Sequence, residues 1–300
     1  MSVTTSSRKN AAFAVRHSAP VRASTEPFIS PPENDHTHNV HNEARTSTQR
    51  PARLLSVVPA LVLAGLILLV WYILTTPGHV SDLFLPTPAD VFSSLVAGLS
   101  SGVMLSNALV TIEESVLGFL LALAIALPLG YGLAKSRLLA LTLHPYVAAG
   151  QAIPAIVIAP FFSLWLGYGL LPNMLVCTLV VFFPIIVNTI LGVQTIDSTL
   201  TDAARVEGAS GWSLLSRIEF PLALPSLLAA VRTGFTLSIV GALVGEFVGG
   251  GSQGLGALVL MAKNQFNTPF MFATVLVLAG LAALYYGITW LLTKVAEAVY

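Results

Sequence analysis

Charge is scarce in this chain: only 9% of its 300 residues are Asp, Glu, Lys or Arg, against about a quarter in soluble proteins. That shortage excludes a surface solvated by water over most of its area. A single cysteine, Cys177, lies inside an apolar run, which excludes a disulfide framework and any thiolate metal spacing. It reads as a small buried hydrophobe. No G-x-x-x-x-G-K-[ST] phosphate loop occurs, so no ATP site is expected here. Residues 249–256 nominally contain G-x-G-x-x-G, yet no strand precedes them and no ribose-binding acid follows, so they read as a flexible or re-entrant turn. Gly208-Ala209-Ser210-Gly211 matches a G-x-S-G pattern. Its serine sits in a charged loop and no histidine follows His144, which argues against an intramembrane serine protease. The net charge of zero implies no nucleic-acid surface.

What is present is apolar surface, 55% of the residues. About 20 residues of helix cross a bilayer core, and six such stretches can be drawn: residues 54–74, 110–133, 145–166, 171–192, 227–247 and 270–292. The expected fold class is therefore all-α, a polytopic membrane protein with six transmembrane helices. Before the first stretch, residues 1–50 are rich in Ser, Thr, Asn, His, Pro and Arg and read as a disordered cytoplasmic tail. The first 25 are Arg- and Ser-rich and free of acids, which also fits an organellar transit peptide. Residues 51–300 form the expected membrane domain.

Short cytoplasmic loops should hold the excess of Lys and Arg. With the N-terminus inside, the inner loops receive Lys135, Arg137, Arg205 and Arg217, while the outer segments 75–107, 167–170 and 248–269 contain only Lys263. Both termini are thus expected on the cytoplasmic side of a plasma (inner) membrane. In the first outer segment, Thr87, Pro88 and Asp90 supply an N-cap, a first-turn proline and an N3 carboxylate, predicting a short amphipathic helix. Pro128, Pro154, Pro160 and Pro184 fall within the spans and predict kinks.

The longest inner connection, residues 193–225, reads as helix, glycine, helix. Asp197 and Asp202 offer acceptors to helix N-terminal amides, Gly208 suits a left-handed turn, and Ser210 can cap a second helix through Trp212, Leu215 and Ile218. Pro221 and Pro225 are expected to close the unit. Here the residues carry a resemblance: Asp202-Ala203-Ala204, three residues, Gly208, nine residues, Ile218, one residue, Phe220-Pro221 resembles the EAA loop of ATP-binding-cassette importer permeases. Asp stands for the usual Glu and Phe for the usual Leu. Residues 151–169, 182–197 and 245–258 are similar to the branch that handles nitrate, sulfonates, taurine and pyrimidine vitamin precursors.

That resemblance implies a permease subunit without catalysis or cofactor of its own, ATP being bound by a partner. Asp202, Ala203, Ala204, Gly208, Trp212, Ile218 and Pro221 would form the coupling loop gripped by cytoplasmic ATPase subunits, with Trp212 and Ile218 packing the loop against its base. A second permease copy and an extracytoplasmic solute-binding protein are the other implied partners. Polar groups within spans are expensive unless they face a cavity or one another, so Gln151, Ser163, Asn188, Thr189, Thr236 and Ser238 are the candidate substrate pathway. Interhelical hydrogen bonding is the bland alternative for each. Arg232 reads as snorkelling, Glu246 as a solvated rim residue, and Glu113 and Glu114 as anions at a helix N-terminus. The rival class, a secondary transporter or channel driven by an ion gradient, should place paired ionisable groups at mid-membrane.

Overall fold

The computed structural model describes residues 52–75, 81, 83–249 and 251–299. The expected tail over residues 1–50 lies outside them. Among the described residues there is no strand. Helix α1 spans Ala52–Thr75 and α2 Pro88–Ser100. The start of α2 follows its sequence signal, with Thr87 as N-cap accepting from the Asp90 amide and Pro88 at the first position. Trp71 of α1 donates its indole N–H to the Pro86 carbonyl at 3.0 Å, and Thr268 donates to that of Leu83 at 2.7 Å. These bonds fix the chain that enters α2.

Helix α3 runs over Val103–Lys135, α4 over Arg137–Ala152, α5 over Ala155–Leu166 and α6 over Leu170–Gln194. The expected single span over 145–166 is broken: α4 and α5 meet at 94°. The reason is Pro154, which lacks an N–H and forces Ile153 into an extended conformation (φ −82°, ψ 118°). Pro145, Pro160 and Pro184 instead sit within helices. After α6 come α7 (Ser198–Val206), α8 (Gly211–Leu214), a π-helical turn (Leu215–Glu219) and α9 (Phe220–Val248). Pro221 and Pro225 do not close the loop, because helix continues from Gly211 to Val248. The Phe220 amide reaches back to the Leu215 carbonyl, and this wider turn makes room for the Pro221 ring. The chain ends with α10 (Leu255–Asn264) and α11 (Thr268–Val299). Helix α10 occupies a segment read from sequence as loop.

Among the described residues four helices are long and apolar enough to cross a membrane: Val103–Lys135, Leu170–Gln194, Gly211–Val248 and Thr268–Lys294. The bent α4/α5 pair makes up to five. Packing centres on α6, held between α3 and α9. Close approach depends on small residues. A Cβ at Gly118 of α3 would lie 2.6 Å from the Cys177 Cβ, and one at Gly241 of α9 would lie 2.6 Å from the Cys177 Cα. Gly245, one turn further, abuts Asn173. Cys177 is buried, as the sequence suggested, and wedged between the two glycines. Around it Phe119, Val181, Ile185 and Ile186 form the main apolar core.

Candidate functional site

The loop between α6 and α9 has the predicted local form. Asp197 caps α7, accepting from the Thr199 amide at 2.9 Å, and its bonds to Thr199 hold its carboxyl below the usual aspartate range. Gly208 follows at φ +94°, a conformation that costs any residue with a Cβ. Ser213 then bonds the Ser210 amide at 3.0 Å, fixing the start of α8. Asp202, expected to accept from helix N-terminal amides, instead lies inside α7 and pairs with Arg205 at 3.1 Å in solvent. Ala204 and Leu214 are buried while Ala203 and Gly208 are exposed and Ile218 and Pro221 half-buried. Trp212 does not pack the loop against its base, being 78% exposed. Leu214 points inward in its place, because a helix starting at Gly211 turns the two residues to different faces. Val206, 89% exposed, adds a second large apolar residue to the open face.

The foot of this loop is held by a group that sequence reasoning missed. Glu219, 1% exposed, forms an ion pair with Lys135, Nζ to Oε1 at 2.6 Å, and accepts from the Tyr131 hydroxyl at 2.7 Å on Oε2. Both partners come from the last turn and a half of α3. An acid among Ile218, Phe220 and Pro221 was the only available signal. Beside it a cavity of about 320 Å³ is lined by Pro128, Tyr131, Thr189, Trp212 and Glu219 among others.

The six candidate pathway residues are not gathered in one cavity. Thr189 lines the cavity just described, and Gln151, exposed next to the α4/α5 break, lines two others. Ser163, Asn188, Thr189, Thr236 and Ser238 each donate to a carbonyl of their own helix, those of Ala159, Pro184, Ile185, Arg232 and Phe235. Such back-bonding satisfies the group where it stands. Arg232 lies over the Tyr286 ring, 5.0 Å from its centroid, a cation–π contact in place of simple snorkelling.

At the other end of the bundle two expectations are corrected. Helix α3 begins at Val103, so Glu114 lies three turns in and not at the N-terminus, and it is 1% exposed. Glu246 is 0% exposed, no rim residue. Its carboxylate accepts from Thr111 at 2.6 Å and from the Gly256 amide. The glycines of the G-x-G-x-x-G segment serve this contact: a Cβ at Gly254 or Gly256 would strike the Glu246 carboxyl. Thr111 in turn accepts from the Leu255 amide at 2.9 Å, and Asn107 from that of Gly254 at 2.8 Å. The orphan amides that begin α10 are thus capped from α3 and α9.

Residues 122–296 match the family described as binding-protein-dependent transport system inner membrane component. The chain is 42% identical over 229 residues to the riboflavin transport system permease protein RibX of Chloroflexus aurantiacus, covering 76% of this chain and 85% of that one. It is 30% identical over 200 residues to the formylaminopyrimidine transport permease protein ThiX of Halalkalibacterium halodurans, covering 67% and 79%. Among solved structures it resembles a chain of the MetNI methionine ABC transporter in an inward-facing conformation, with a TM-score of 0.56, 22% identity and coverage of 63% of this chain and 93% of that one. That last likeness bears on the fold alone. With its apolar helices and these relatives, the chain belongs to the binding-protein-dependent transport system inner membrane component family and is a membrane-embedded permease subunit of an ATP-binding-cassette importer.

Proposed function

We propose that residues 51–300 form one half of a homodimeric import path, in which α7, Gly208 and α8 dock into a cytoplasmic ATPase subunit. The observation that carries this reading is the joint itself. Val206 and Trp212 are exposed apolar residues on a capped loop whose foot is bolted to α3 through Glu219 and Lys135. A rigid element so attached moves α3, α6 and α9 together when its partner moves. Alternating access then needs only a two-state bundle biased by the partner. In this reading the bundle has six spans, α1 and the broken α4/α5 pair included, with both termini cytoplasmic. Asp202, Ala203, Ala204, Ile218 and Pro221 complete the coupling loop.

The solute, delivered by an extracytoplasmic binding protein, is a small polar nitrogen heterocycle of the flavin or pyrimidine type. The riboflavin relative, at 42% identity, supports this choice; the formylaminopyrimidine relative at 30% is matched by an aliphatic sulfonates permease of Bacillus subtilis at 29% and does not decide it. Gln151, Ser163, Asn188, Thr189, Thr236 and Ser238 remain its proposed path, their back-bonded hydroxyl and amide groups exchanging partners when the bundle opens. Uptake into vesicles carrying permease, ATPase and binding protein tests both parts. ATP-dependent uptake of riboflavin or formylaminopyrimidine, lost in Gly208→Trp, is expected. Uptake of taurine alone overturns the solute assignment, and undiminished uptake by Gly208→Trp overturns the coupling role.

A further inference from the structure

The end of the bundle remote from the coupling loop holds two carboxyl groups that the transport reading does not use. Glu114 on α3 and Glu246 on α9 are fully buried and interact side chain to side chain. Their surroundings differ. Glu246 is supplied with donors: the Thr111 hydroxyl, whose own acceptor site is filled by the Leu255 amide, and the Gly256 and Ala257 amides at the start of α10. A carboxylate set on such amides is favoured in its charged form. Glu114 receives only the Asn173 amide, at 2.8 Å on Oε1. Its Oε2 is buried with no hydrogen-bond partner.

An orphaned carboxylate oxygen facing a second carboxylate in an apolar bundle is untenable on two counts, desolvation and like-charge repulsion. One proton removes both. The other ionisable groups around the pair are Glu113 on α3, Cys177 on α6 and Tyr168 in the adjoining cavity, and none brings positive charge. No cluster of three His, Cys, Asp or Glu placed for a metal ion occurs among the described residues. We infer that Glu114 is a proton-binding site, its Oε2–H donating to the Glu246 carboxylate, and that this shared proton clasps α3 to α9 and α10. Glu114 then accepts from Asn173 and donates to Glu246, and every oxygen of the pair is used. A cavity of about 350 Å³ lined by Glu113, Glu114, Asn173, Ser252 and Gln253 gives the proton a polar route to solvent. Loss of that proton places two charges face to face and drives α3 away from α9 at this end.

Infrared spectroscopy of the full-length chain in lipid vesicles, with exchange into heavy water, reads the proton directly. At neutral pH the wild type should show the carbonyl stretch of a protonated carboxylic acid, unchanged in Glu113→Gln and lost in Glu114→Gln. The glutamine amide donates to Glu246 and accepts from Asn173 as the acid does, so this variant should fold. Absence of the band in wild type overturns the inference, as does its survival in Glu114→Gln. The melting temperature supplies a second reading that needs no ATPase. It should fall for wild type over the alkaline range in which the band disappears and stay level for Glu114→Gln, whereas parallel curves contradict the clasp.

Discussion

Lys135, the last residue of α3, meets Glu219 in the π-helical turn before α9 at 2.6 Å, with the lysine one-third exposed and the glutamate buried. Among the described residues Glu219 is thereby the one acid through which the loop is tied ionically to a helix outside its own hairpin. Removing one partner of such a pair leaves a charge uncompensated. Because Lys135 reaches solvent, Lys135→Met should cost about 2 kcal/mol, between the surface and fully buried cases. The double change Lys135→Met with Glu219→Gln should recover most of it. Thermal unfolding of the three proteins checks this. Glu219→Gln alone should leave ATPase activity of the complex in place while uptake falls several-fold, since the tie to α3 is weakened and the docking face is untouched.

Gly208 is held at φ +94° with open space around its would-be Cβ. Gly208→Ala therefore meets backbone strain and no clash, of about 1 kcal/mol. Gly208→Trp adds bulk on the exposed face as well. The alanine variant should still co-purify with the ATPase and the tryptophan variant should not, both being present in the membrane at wild-type level.

Cys177 sits between Gly118 and Gly241, so it should resist maleimide in the folded protein and become reactive only on denaturation. Gly241→Val forces α9 off α6, and overpacking of this kind costs about 1–3 kcal/mol or more. A lowered melting temperature, with early exposure of Cys177 to thiol reagent, is the expected result. Cys177→Ala, which removes only Sγ and keeps the Cα and Cβ that meet the two glycines, should be tolerated.

Asp197 accepts from Thr199 and its carboxyl is held below the usual aspartate range. A group depressed in the folded state stabilises it above the unfolded value, and the contribution is lost as pH falls through the folded value. Protection of the α7 amides from hydrogen exchange should thus be level at neutral pH and decline in acid below the ordinary aspartate range. Asp197→Ala should show the acid-like exchange at every pH.

Local signals were legible in the sequence because their partners lie within a turn. Thr87 with Asp90, Asp197 with Thr199 and the left-handed Gly208 are of this kind. The prolines were not: Pro154 breaks a helix while Pro145 and Pro160 on either side pass through, and neighbours decide which. Nor were the buried acids, whose partners are remote. Tyr131 stands 88 residues from Glu219, and Thr111 stands 135 residues from Glu246. Read alone, Glu246 looked like a rim residue, since nothing near it in sequence announces the α10 amides that fill its carboxylate. The family-like loop was visible from spacing, yet which of its apolar residues faces outward, Trp212 and not Leu214, was set by where α8 begins.

Coupled transport requires the α7–Gly208–α8 loop to be the face offered to the ATPase. A single cysteine placed by Val206→Cys, 89% exposed in the wild type, in a Cys177→Ala background, should react with membrane-impermeant maleimide only from the cytoplasmic side and be shielded when the ATPase is bound. Labelling from the opposite side, or labelling indifferent to the ATPase, would contradict it.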